Sequence, residues 1–415
     1  MRHLAERFAP GRHVINVCAD RYRFMVGFAA ALLSGRVSLL PPTHTPEVVR
    51  RLAAFAPDVF CLSDAAGGDI DLPQLRYPQC AGDAPALWPV PRIECERTVA
   101  FVFTSGSSGV PVPHRKTWGR LVQCIRAGAV RLGLEGRPHA LLATVPPQHM
   151  YGFESSVLLP MLSGGALCAE RPFYPADICA QLASLPAPRA LLCTPIHLRV
   201  LLESQAQLPR SDLLVSATAP LAQALALEAE RRFHGPLMEI YGSTETGQLA
   251  IRRTARESAW RLWPAVELSR AGGRTWARGG HLEQPTPLGD ELEILADGRF
   301  HLHGRLADQV NIAGKRSSLA YLTQQLTGIE GVLDGAFFFP GPARADELGV
   351  TRVAAAAVAP SLDAVHILKA LRERIDPVFL PRPLLLIERL PRNSTGKLPA
   401  QALRALLADP LRRPA

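Results

Sequence analysis

Short apolar runs alternate with helix-like segments along the first half of the chain, and this alternation predicts the fold. Runs rich in Val, Leu, Ile and Phe predict strands, and longer amphipathic segments between several of them predict helices. The predicted strands are 13–18, 37–40, 59–62, 98–103, 140–145, 190–193 and 213–216, and the predicted helices are 22–33, 46–55 and about 116–132. Strands that alternate with helices at this spacing favour parallel sheets covered by helices on both faces.

The pattern changes after Glu245, where short segments alternate polar and apolar residues. Segments 291–294 and 299–303 flank Asp297-Gly298, a dipeptide typical of a tight hairpin turn. A smaller α+β unit is predicted to follow, with strands 336–339 and 353–358 and a helix over 362–375. We therefore expect a large N-terminal domain with a reduced β-subdomain and a small C-terminal domain, with bounds 1–306 and 307–415.

The composition is that of an ordinary globular protein, since 47% of the 415 residues are hydrophobic and 20% are charged. The best apolar run, 26–33, falls far short of the ~20 residues that a membrane span requires. The first residues include an acid and no apolar stretch, so no signal peptide is expected. Eight cysteines are scattered singly, which is typical of reduced thiols. We therefore expect a cytoplasmic protein without a membrane span.

A surplus of basic residues gives the chain a net charge of +9, which suits an anionic partner such as a nucleotide, coenzyme A or an acidic carrier protein. A nucleic-acid partner is not expected, because zinc-finger spacing, basic blocks and interleaved aromatic and basic residues are all missing. Four of the 46 basic residues are lysines: Lys116, Lys315, Lys369 and Lys397. The arginine excess is explained by genomic base composition, but a retained lysine indicates a role that needs a compact ammonium.

The strongest local signal is the segment Thr104-Ser105-Gly106-Ser107-Ser108-Gly109, directly after a predicted strand. Small residues let the backbone approach an anion closely, and hydroxyl and N–H groups supply donors. The ending of a Walker A loop is missing, and Val112 stands where a lysine is common. Read alone, the segment is also typical of a plain turn.

A second segment, Tyr241-Gly242-Ser243-Thr244-Glu245, also lies at a predicted strand end. It combines an aromatic ring that can stack on a base, hydroxyls for a phosphate and a carboxylate for Mg²⁺. A plain turn with a helix N-cap at Ser243 or Thr244 accounts for the same residues.

Two further segments carry single charged groups on predicted loops. Asp290 follows a glycine, and Arg305 comes 15 residues later. A carboxylate in that position can accept hydrogen bonds from both ribose hydroxyls, although an exposed turn is the plain alternative. Asn393-Ser394-Thr395-Gly396-Lys397 places a lysine on a glycine loop, where it can bridge a carboxylate and a phosphate or simply be solvated.

In this order, the segments resemble the adenylate-forming superfamily of acyl-CoA synthetases, nonribosomal adenylation domains and firefly luciferase. Gln148-His149-Met150-Tyr151-Gly152 is similar to its acyl-pocket gate, and Ser216-Ala217-Thr218-Ala219-Pro220-Leu221 to its segment along the adenine. Residues 308–316 look like the segment after its hinge, and 390–397 like its terminal catalytic-lysine motif. The resemblance covers nearly the whole chain. It implies a luciferase-like α/β fold, with a large domain of stacked αβ-layered sheets and a small mobile α+β domain.

The resemblance also implies a role for each matching residue in an ATP- and Mg²⁺-dependent reaction. Phosphate contacts are implied for Thr104, Ser105, Gly106, Ser107, Ser108 and Gly109. Contacts to the rest of the nucleotide are implied for Thr218, Ala219, Pro220, Tyr241, Gly242, Ser243, Thr244, Asp290, Arg305 and Lys397. The acyl pocket would be lined by His149, Phe153, Ser216, Ala217 and Gly242. The expected catalytic residues are Lys397, His149 as a gate, Thr244, and Glu245 as the Mg²⁺ ligand.

Three departures from the superfamily pattern refine this expectation. Val112 replaces the common lysine, and the cations of 113–116 would compensate; Ala307 stands at the hinge. The chain is shorter than most members, with a compressed segment between Tyr241 and Asp290. That shortness resembles the stand-alone ligases of aryl polyene and xanthomonadin-type pigment clusters, which activate small hydroxyaryl acids.

The leading hypothesis is ATP-dependent activation of a hydroxybenzoate- or hydroxycinnamate-like acid as an acyl-adenylate. The acyl group would then pass to the phosphopantetheine thiol of an acyl carrier protein. The nearest alternative is an acyl-CoA or aryl-CoA ligase with the same first half-reaction. A different class is a degenerate homologue that binds nucleotide without catalysis.

Overall fold

The computed structural model describes residues 1–8, 10–65, 70–78, 90–105, 111–305, 309–312, 315–341, 352–393 and 396–407. The chain divides into two compact units. The first comprises Met1–Glu267 and Ala277–Thr286, and the second comprises Leu268–Trp276 and Pro287–Ala415. The domain boundary expected between residues 306 and 307 falls outside the described residues and stays a prediction.

A six-stranded sheet in the first unit confirms the first predicted parallel sheet. Its order is β4-β3-β1-β2-β5-β6, in which β1 to β5 run parallel and β6 is antiparallel to β5 at the edge. The strands are β1 His13–Asn16, β2 Val37–Leu40, β3 Val59–Ser63, β4 Gln74–Arg76, β5 Thr98–Ser105 and β6 Pro111–Thr117. The helices in this part of the chain are α1 Arg2–Glu6, α2 Arg21–Leu33 and α3 Pro46–Phe55.

A seven-stranded sheet in the same unit has the order β13-β12-β11-β10-β9-β7-β8, with parallel strands from β7 to β11 and an antiparallel edge. Its strands are β7 Ala140–Ala143, β8 Ala166–Leu167, β9 Arg189–Cys193, β10 Leu213–Ser216, β11 Leu237–Ser243, β12 Gly247–Arg252 and β13 Arg261–Leu262. The helices are α4 Trp118–Leu132, α5 Met150–Gly152, a π-helical segment Phe153–Leu158, α6 Leu159–Ser163, α7 Pro175–Ser184, α8 Pro195–Glu203 and α9 Gln223–Phe233. Leu142, Leu191, Leu214 and Phe233 belong to one fully buried core.

The helix predicted from about residue 116 was wrong at its start, because α4 begins at Trp118 and Lys116 lies on β6. Lys116 and Thr117 pair with β5 as part of an edge strand that begins at Pro111, so the helix starts after them. A proline inside a helix removes a backbone hydrogen bond, whereas an edge strand tolerates one whose nitrogen faces away from the sheet. The chain therefore returns along β5 as a hairpin before the helix begins.

The later strands include the hairpin predicted around Asp297-Gly298, which is confirmed by the antiparallel pairing of β17 with β18. The strands are β14 Val266–Ala271, β15 Arg274–Gly279, β16 Thr286–Pro287, β17 Asp290–Ile294, β18 Phe300–Arg305, β19 Gln309–Ile312, β20 Lys315–Ser318, β21 Asp334–Phe338, β22 Ala354–Val358 and β23 Leu384–Leu386. The helices are α10 Leu319–Thr327, α11 Ala364–Arg372 and α12 Ala400–Ala405, with a 3₁₀ turn at Pro377–Phe379. Helix α11 is shorter than the predicted 362–375 because Asp363 caps it, accepting the His366 N–H at 2.8 Å.

Among the helices that the structure describes, none has the length and apolar composition needed to span a bilayer. The cysteines within the described ranges, Cys18, Cys61, Cys95, Cys124, Cys168, Cys179 and Cys193, are free thiols.

One arginine side chain ties the two sheets of the first unit together. Arg21, at the start of α2, is 1% exposed. Its guanidinium donates to the carbonyl oxygens of Ala143 and Val145, both at 2.9 Å, and to the hydroxyl of Ser156. These acceptors lie at the end of β7 and on the π-helical segment, so a helix beside the first sheet fixes the carboxyl end of a strand in the second.

We expect Arg21→Met to lower the free energy of unfolding by about 2–4 kcal/mol, because two buried carbonyl groups lose their donors. Urea unfolding followed by circular dichroism measures the change. Arg126→Met, at an exposed position on α4, is the matched control and should shift stability by less than ~0.5 kcal/mol. Equal unfolding midpoints for the two variants would contradict the assigned role of Arg21.

Candidate functional site

Strands β5 and β6 and the turn between β11 and β12 meet at one imidazole of the first unit. The Thr104 hydroxyl, near the end of β5, lies 3.0 Å from Nε2 of His114 on β6. The same nitrogen lies 3.7 Å from Oε1 of Glu245, in the turn between β11 and β12. Thr104 and Glu245 belong to the segments that the sequence singled out for phosphate and Mg²⁺. The fold therefore brings these two distant segments of the chain side by side.

Several predicted site residues lie outside the described residues, so their assignments stay predictions. They are Gly106, Ser107, Ser108 and Gly109 of the phosphate segment, Ala307 at the hinge, and Ser394 and Thr395 of the terminal loop. The side chains of Ser105 and Arg305 also lie outside the described part of the chain.

The basic residues expected to compensate for the lysine missing at position 112 lie on different faces of β6 or at different depths. Side chains alternate along a strand, so Val112, His114 and Lys116 share one face and Arg115 lies on the other. Arg115 pairs with Glu283. Of the three basic residues, His114 is therefore the one beside the Thr104 hydroxyl, and the Lys116 side chain runs into the interior.

Lys116 holds the backbone of the turn between β11 and β12 from inside. Its side chain is buried, with 9% of the residue exposed. The ammonium donates to the carbonyl oxygen of Thr244 and lies 3.5 Å from that of Glu245. Burial lowers the pKa of Lys116, while the negative charge of Glu154 acts in the opposite direction. The sequence analysis counted this residue among the cations that would compensate for Val112, and it did not predict the contact with the turn.

The turn itself is closed by reciprocal hydroxyl bonds. The Ser243 N–H donates to Oγ1 of Thr246 at 3.2 Å, and the Thr246 N–H donates to Oγ of Ser243 at 3.3 Å. Gly247 has a φ of 70°, and a Cβ on Gly242 would lie 2.3 Å from the Gly247 carbonyl oxygen. Glycine is required at both positions. The two residues at the tip of the turn are thus held toward the surface.

A buried polar cluster lies beneath this turn. A Cβ on Gly247 would lie 2.8 Å from Oε1 of Glu154 and 3.6 Å from both Sγ of Cys124 and Nε2 of His281. Burial raises the pKa of Glu154 to about 7. Burial lowers the pKa of His281 to about 4, so its imidazole is neutral near pH 7. Its Nε2 lies 2.8 Å from the carbonyl oxygen of Thr246, to which the N–H donates.

Glu239, on β11, holds the segment predicted to lie along the adenine. Its Oε1 accepts the Leu221 N–H at 3.1 Å. Its Oε2 accepts the Thr254 hydroxyl at 2.6 Å and Nε of Arg252 at 2.8 Å. Burial raises the pKa of Glu239, and Arg252 acts against that shift. This carboxylate therefore links the ends of the neighbouring parallel strands β10 and β11.

Thr218 has a strained backbone at the carboxyl end of β10. Its φ of 81° is a genuine outlier for a β-branched residue, and such strain concentrates at functional sites. Thr218 and Pro220 are exposed, and Ala219 between them is half-buried. On the neighbouring strand, the Tyr241 ring packs 5.7 Å from that of Trp260. Open parallel sheets bind ligands at the carboxyl ends of their strands, which is where these residues lie.

The predicted gate residue, His149, precedes helix α5. Its Nε2 lies 3.0 Å from the carbonyl oxygen of Pro42. Two residues later, the Tyr151 hydroxyl donates to the carbonyl oxygen of Val215 on β10 at 3.0 Å. The gate segment is thus attached to the strand whose end carries the predicted pocket residues.

The predicted acyl-pocket residues differ in their surroundings. Phe153 is fully buried and packs edge-on against Phe28, with ring centroids 4.9 Å apart. Ala217 is buried and Gly242 is exposed. Ser216 is also buried, and its hydroxyl has no hydrogen-bond partner among the described residues. Such a hydroxyl would be satisfied by a polar group of a ligand.

In the second unit, the predicted ribose pair lies on one hairpin. Asp290 on β17 and Arg305 on β18 are direct cross-strand partners. Residues opposite each other on a sheet stand about 5 Å apart. The two positions that the sequence paired are therefore neighbours in the fold.

The loop of Lys397 is braced by an arginine fork. Arg392 donates to both carboxylate oxygens of Asp334, at 2.9 and 2.7 Å, and to the carbonyl oxygen of Gly396 at 2.8 Å. The Lys397 N–H donates to Oδ1 of Asn393 at 2.9 Å, and the residue is exposed. The loop that presents the predicted catalytic lysine is thus anchored to the sheet of its own unit.

The described residues contain no cluster of three or more His, Cys, Asp or Glu side chains that could hold a metal ion. Mg²⁺ is usually bound by one or two carboxylates together with substrate phosphates. The Glu245 side chain is 47% exposed. Partial burial acts to raise its pKa, but the hydrogen bond from Ser243 and the nearby His114 outweigh that effect and leave the pKa below its ordinary value. An ionised, accessible carboxylate of this kind suits Mg²⁺ bound with a nucleotide.

Comparison with known proteins assigns the family. Residues 8–298 match the model of the AMP-binding enzyme family. The chain belongs to this family. It is thus an adenylate-forming, acyl-CoA-synthetase-like member of the ligases, as the resemblance in the sequence implied.

Two relatives are 4-coumarate–CoA ligases. That of Halorhodospira halophila is 30% identical over 298 residues, covering 71% of this chain and 73% of the relative. That of Rhodobacter capsulatus is 31% identical over 238 residues, covering 57% of this chain and 59% of the relative. ATP-bound MatB from Rhodopseudomonas palustris superposes with a TM-score of 0.81 at 18% identity, covering 98% of this chain and 90% of that one. This last similarity confirms the expected adenylating fold.

Glu154 predicts a pH-dependent change in stability. Because burial raises its pKa from 4.5 to about 7, the folded state binds the proton more tightly than the unfolded state. The stability that this group contributes is fully present below pH 4.5 and is lost as pH rises through 7. We expect Glu154→Gln to be more stable than the wild type at pH 8, by up to about 3 kcal/mol, and equally stable at pH 4.5.

Thermal unfolding between pH 4.5 and 8 measures this difference. Glu135→Gln, at an exposed position in the same unit, should follow the wild type at every pH. A difference between Glu154→Gln and the wild type that does not vary with pH would show that the amide acts through packing instead.

Proposed function

We propose that this chain is an AMP-forming acid–thiol ligase that activates a small aromatic carboxylic acid. The observation that carries the proposal is the placement of His114, on β6, between Thr104 on β5 and Glu245 in the β11–β12 turn. Hydroxyls, an ionised carboxylate and an imidazole converge there on one surface. Nucleotidyl transfer needs mainly positioning and neutralisation of charge, and this set of groups can provide both.

In the first half-reaction, a carboxylate oxygen of the acid attacks the α-phosphorus of ATP. The bond between the α-phosphorus and its bridging oxygen breaks, and acyl-AMP and pyrophosphate form. Thr104 and the segment after it would bind the β- and γ-phosphates, and Thr244 the α-phosphate. Glu245 would hold Mg²⁺, which neutralises charge on the phosphate oxygens. Burial lowers the pKa of His114, so between Thr104 and Glu245 it would act as a hydrogen-bond donor to phosphate rather than supply the charge of a lysine at position 112.

We propose further nucleotide contacts for the segment that follows β10 and for the β17–β18 hairpin. Thr218, Ala219 and Pro220 would lie along the adenine, beside Tyr241. Glu239 supports this assignment because it fixes the segment that follows β10. Asp290 and Arg305 would bind the ribose hydroxyls.

Lys397 would bridge the attacking carboxylate and the α-phosphate and stabilise the charge that develops between them. For the second half-reaction, we propose that the C-terminal domain, 307–415, rotates about Ala307. The rotation would withdraw Lys397 and expose the path past His149 to a thiol. The bracing of this loop by Arg392 supports the first of these roles, since it holds the backbone from which the Lys397 side chain extends.

An aromatic acid is favoured by the two relatives, which are named for 4-coumarate. The pocket would be lined by Phe153, Ser216, Ala217 and Gly242, with His149 at its entrance. The unsatisfied hydroxyl of Ser216 suits an acid that carries a polar substituent, such as a phenol. We propose a hydroxybenzoate- or hydroxycinnamate-like acid for this reason.

For the thiol acceptor, we propose coenzyme A first, because both relatives are named as CoA ligases. An acyl carrier protein, which the short chain and its resemblance to pigment-cluster ligases favour, is the second candidate. The net charge of +9 suits either acceptor, since both are anionic.

The acid and the acceptor are tested in one experiment. ATP–pyrophosphate exchange with 4-hydroxybenzoate and 4-coumarate should exceed exchange with a fatty acid by about tenfold or more. Thioester formation is then followed with CoA and with a phosphopantetheinylated carrier protein. A thioester with CoA is expected. A thioester with the carrier alone would assign the second acceptor, and no exchange with any acid would overturn the proposal.

The role of Lys397 is tested by Lys397→Ala. We expect acid-dependent ATP–pyrophosphate exchange to fall by about a thousandfold, because a group that stabilises the transition state is lost. ATP binding, measured by calorimetry, should be retained. Lys369→Ala, at an exposed position on α11, is the control and should leave exchange unchanged. Wild-type exchange in Lys397→Ala would refute the assignment.

A further inference from the structure

The proposed reaction leaves the buried ammonium of Lys116 without a role. Lys116 is 9% exposed, yet neither the nucleotide nor the acid needs its ammonium for any contact assigned above. Removing an ammonium from water is costly unless acceptors and opposite charge replace its hydration. A lysine in such a place is also one of four in a chain with 46 basic residues. Its surroundings therefore call for a physical explanation.

The acceptors of Lys116 belong to one short piece of backbone. The ammonium donates to the carbonyl oxygen of Thr244 and lies 3.5 Å from that of Glu245. The next carbonyl oxygen, that of Thr246, accepts from Nε2 of His281 at 2.8 Å. Three successive carbonyl groups are thus approached by donors from the interior of the unit.

This arrangement fixes the orientation of three peptide groups. In a trans peptide, the carbonyl oxygen and the following N–H point in opposite directions. Donors that hold the carbonyl groups inward therefore turn the intervening N–H groups away from the interior. The side chains of Thr244 and Glu245 are set by the same peptide planes, and these are the residues proposed to bind phosphate and Mg²⁺.

Opposite charge is added from beneath the turn when Glu154 ionises, as pH rises through about 7. Glu154, on the π-helical segment, is 2% exposed and acts electrostatically on Lys116. Its carboxylate reaches the base of the turn because Gly247 has no side chain, since a Cβ there would lie 2.8 Å from Oε1. A compact ammonium fits between carbonyl oxygens in this space, whereas the broad planar fork of arginine requires a different set of acceptors.

We propose that Lys116 is a positioning residue that fixes the turn of Thr244 and Glu245 in the conformation that binds the metal–nucleotide complex. The inference rests on the proposed roles of these two residues. It assigns the buried ammonium to metal-dependent nucleotide binding rather than to general stability of the unit.

The test compares ATP binding with Mg²⁺ and with EDTA, measured by titration calorimetry on the full chain. In Lys116→Met, we expect ATP affinity in EDTA to stay within about threefold of the wild type. The gain in affinity that Mg²⁺ provides should fall by about tenfold, because the Glu245 carboxylate is no longer held in place. Lys116→Arg should not restore the gain. Lys369→Met, at an exposed position, should behave as the wild type.

A second variant separates positioning from folding. Lys116→Met/Glu154→Gln removes both charges and leaves no uncompensated ion in the interior. The double variant should unfold near the wild-type temperature and still lack the gain from Mg²⁺. A wild-type gain in either folded variant overturns the proposal. Unfolding of both variants also overturns it, because Lys116 would then support the whole unit.

Failure of the proposed function would be recognised separately. A wild-type chain that activates no aromatic acid shows no ATP–pyrophosphate exchange with those acids. Its ATP binding with and without Mg²⁺ still reports on Lys116. The two failures therefore give different results.

Discussion

An ammonium group taken out of water must find oxygen acceptors within reach, and Lys116 finds them in the turn between β11 and β12. This requirement binds the edge hairpin of the six-stranded sheet to a hairpin of the seven-stranded sheet. His114, two residues earlier on the same strand, then falls between Thr104 and Glu245. The contacts of His114 with Thr104 and Glu245, on which the proposed chemistry depends, are thus a consequence of the contact between Lys116 and the turn.

In the second unit, an arginine rather than a lysine holds the backbone of a loop that the proposed chemistry uses. Lys397 is exposed, and the backbone next to it is braced from within its own unit. Arg392 supplies the brace by spanning two carboxylate oxygens of Asp334 and the carbonyl oxygen of Gly396. A planar fork suits several acceptors in one plane, whereas a point charge suits a narrow space between carbonyl groups. Lys116 and Arg392 thus each bind the arrangement of acceptors that suits the shape of the cation.

Much of the fold could be predicted from periodicity, because buried parallel strands form apolar runs that end where loops begin. The strand at Leu213–Ser216 and the helix at Pro46–Phe55 were predicted to the residue. Strand β6 was not predicted, because His114 to Lys116 have no apolar pattern, and Lys116 was placed at the start of the following helix. Its pairing depends on a partner strand, which a local pattern does not reveal.

The site could be predicted only in part, for a related reason. Motifs near strand ends identified Thr104, Glu245 and Asp290, because their chemistry is visible locally. The contacts of Glu154 and His281 with the turn join distant parts of the chain, so no local pattern in the sequence predicts them. The scarcity of lysine and the missing cation at position 112 both pointed toward Lys116, but neither indicated its contact with the turn.

The prolines of β6 have a consequence for how molecules of this protein meet one another. Strand β6 is the outer strand of its sheet, and Pro111 and Pro113 lie two residues apart on it. Backbone groups of alternate residues point to the same side of a strand, so two consecutive outward positions lack a donor there. A strand from a second copy would find a broken row of hydrogen-bond donors along this edge. Pro111 and Pro113, which follow the phosphate segment, thereby protect the sheet from extension into an aggregate.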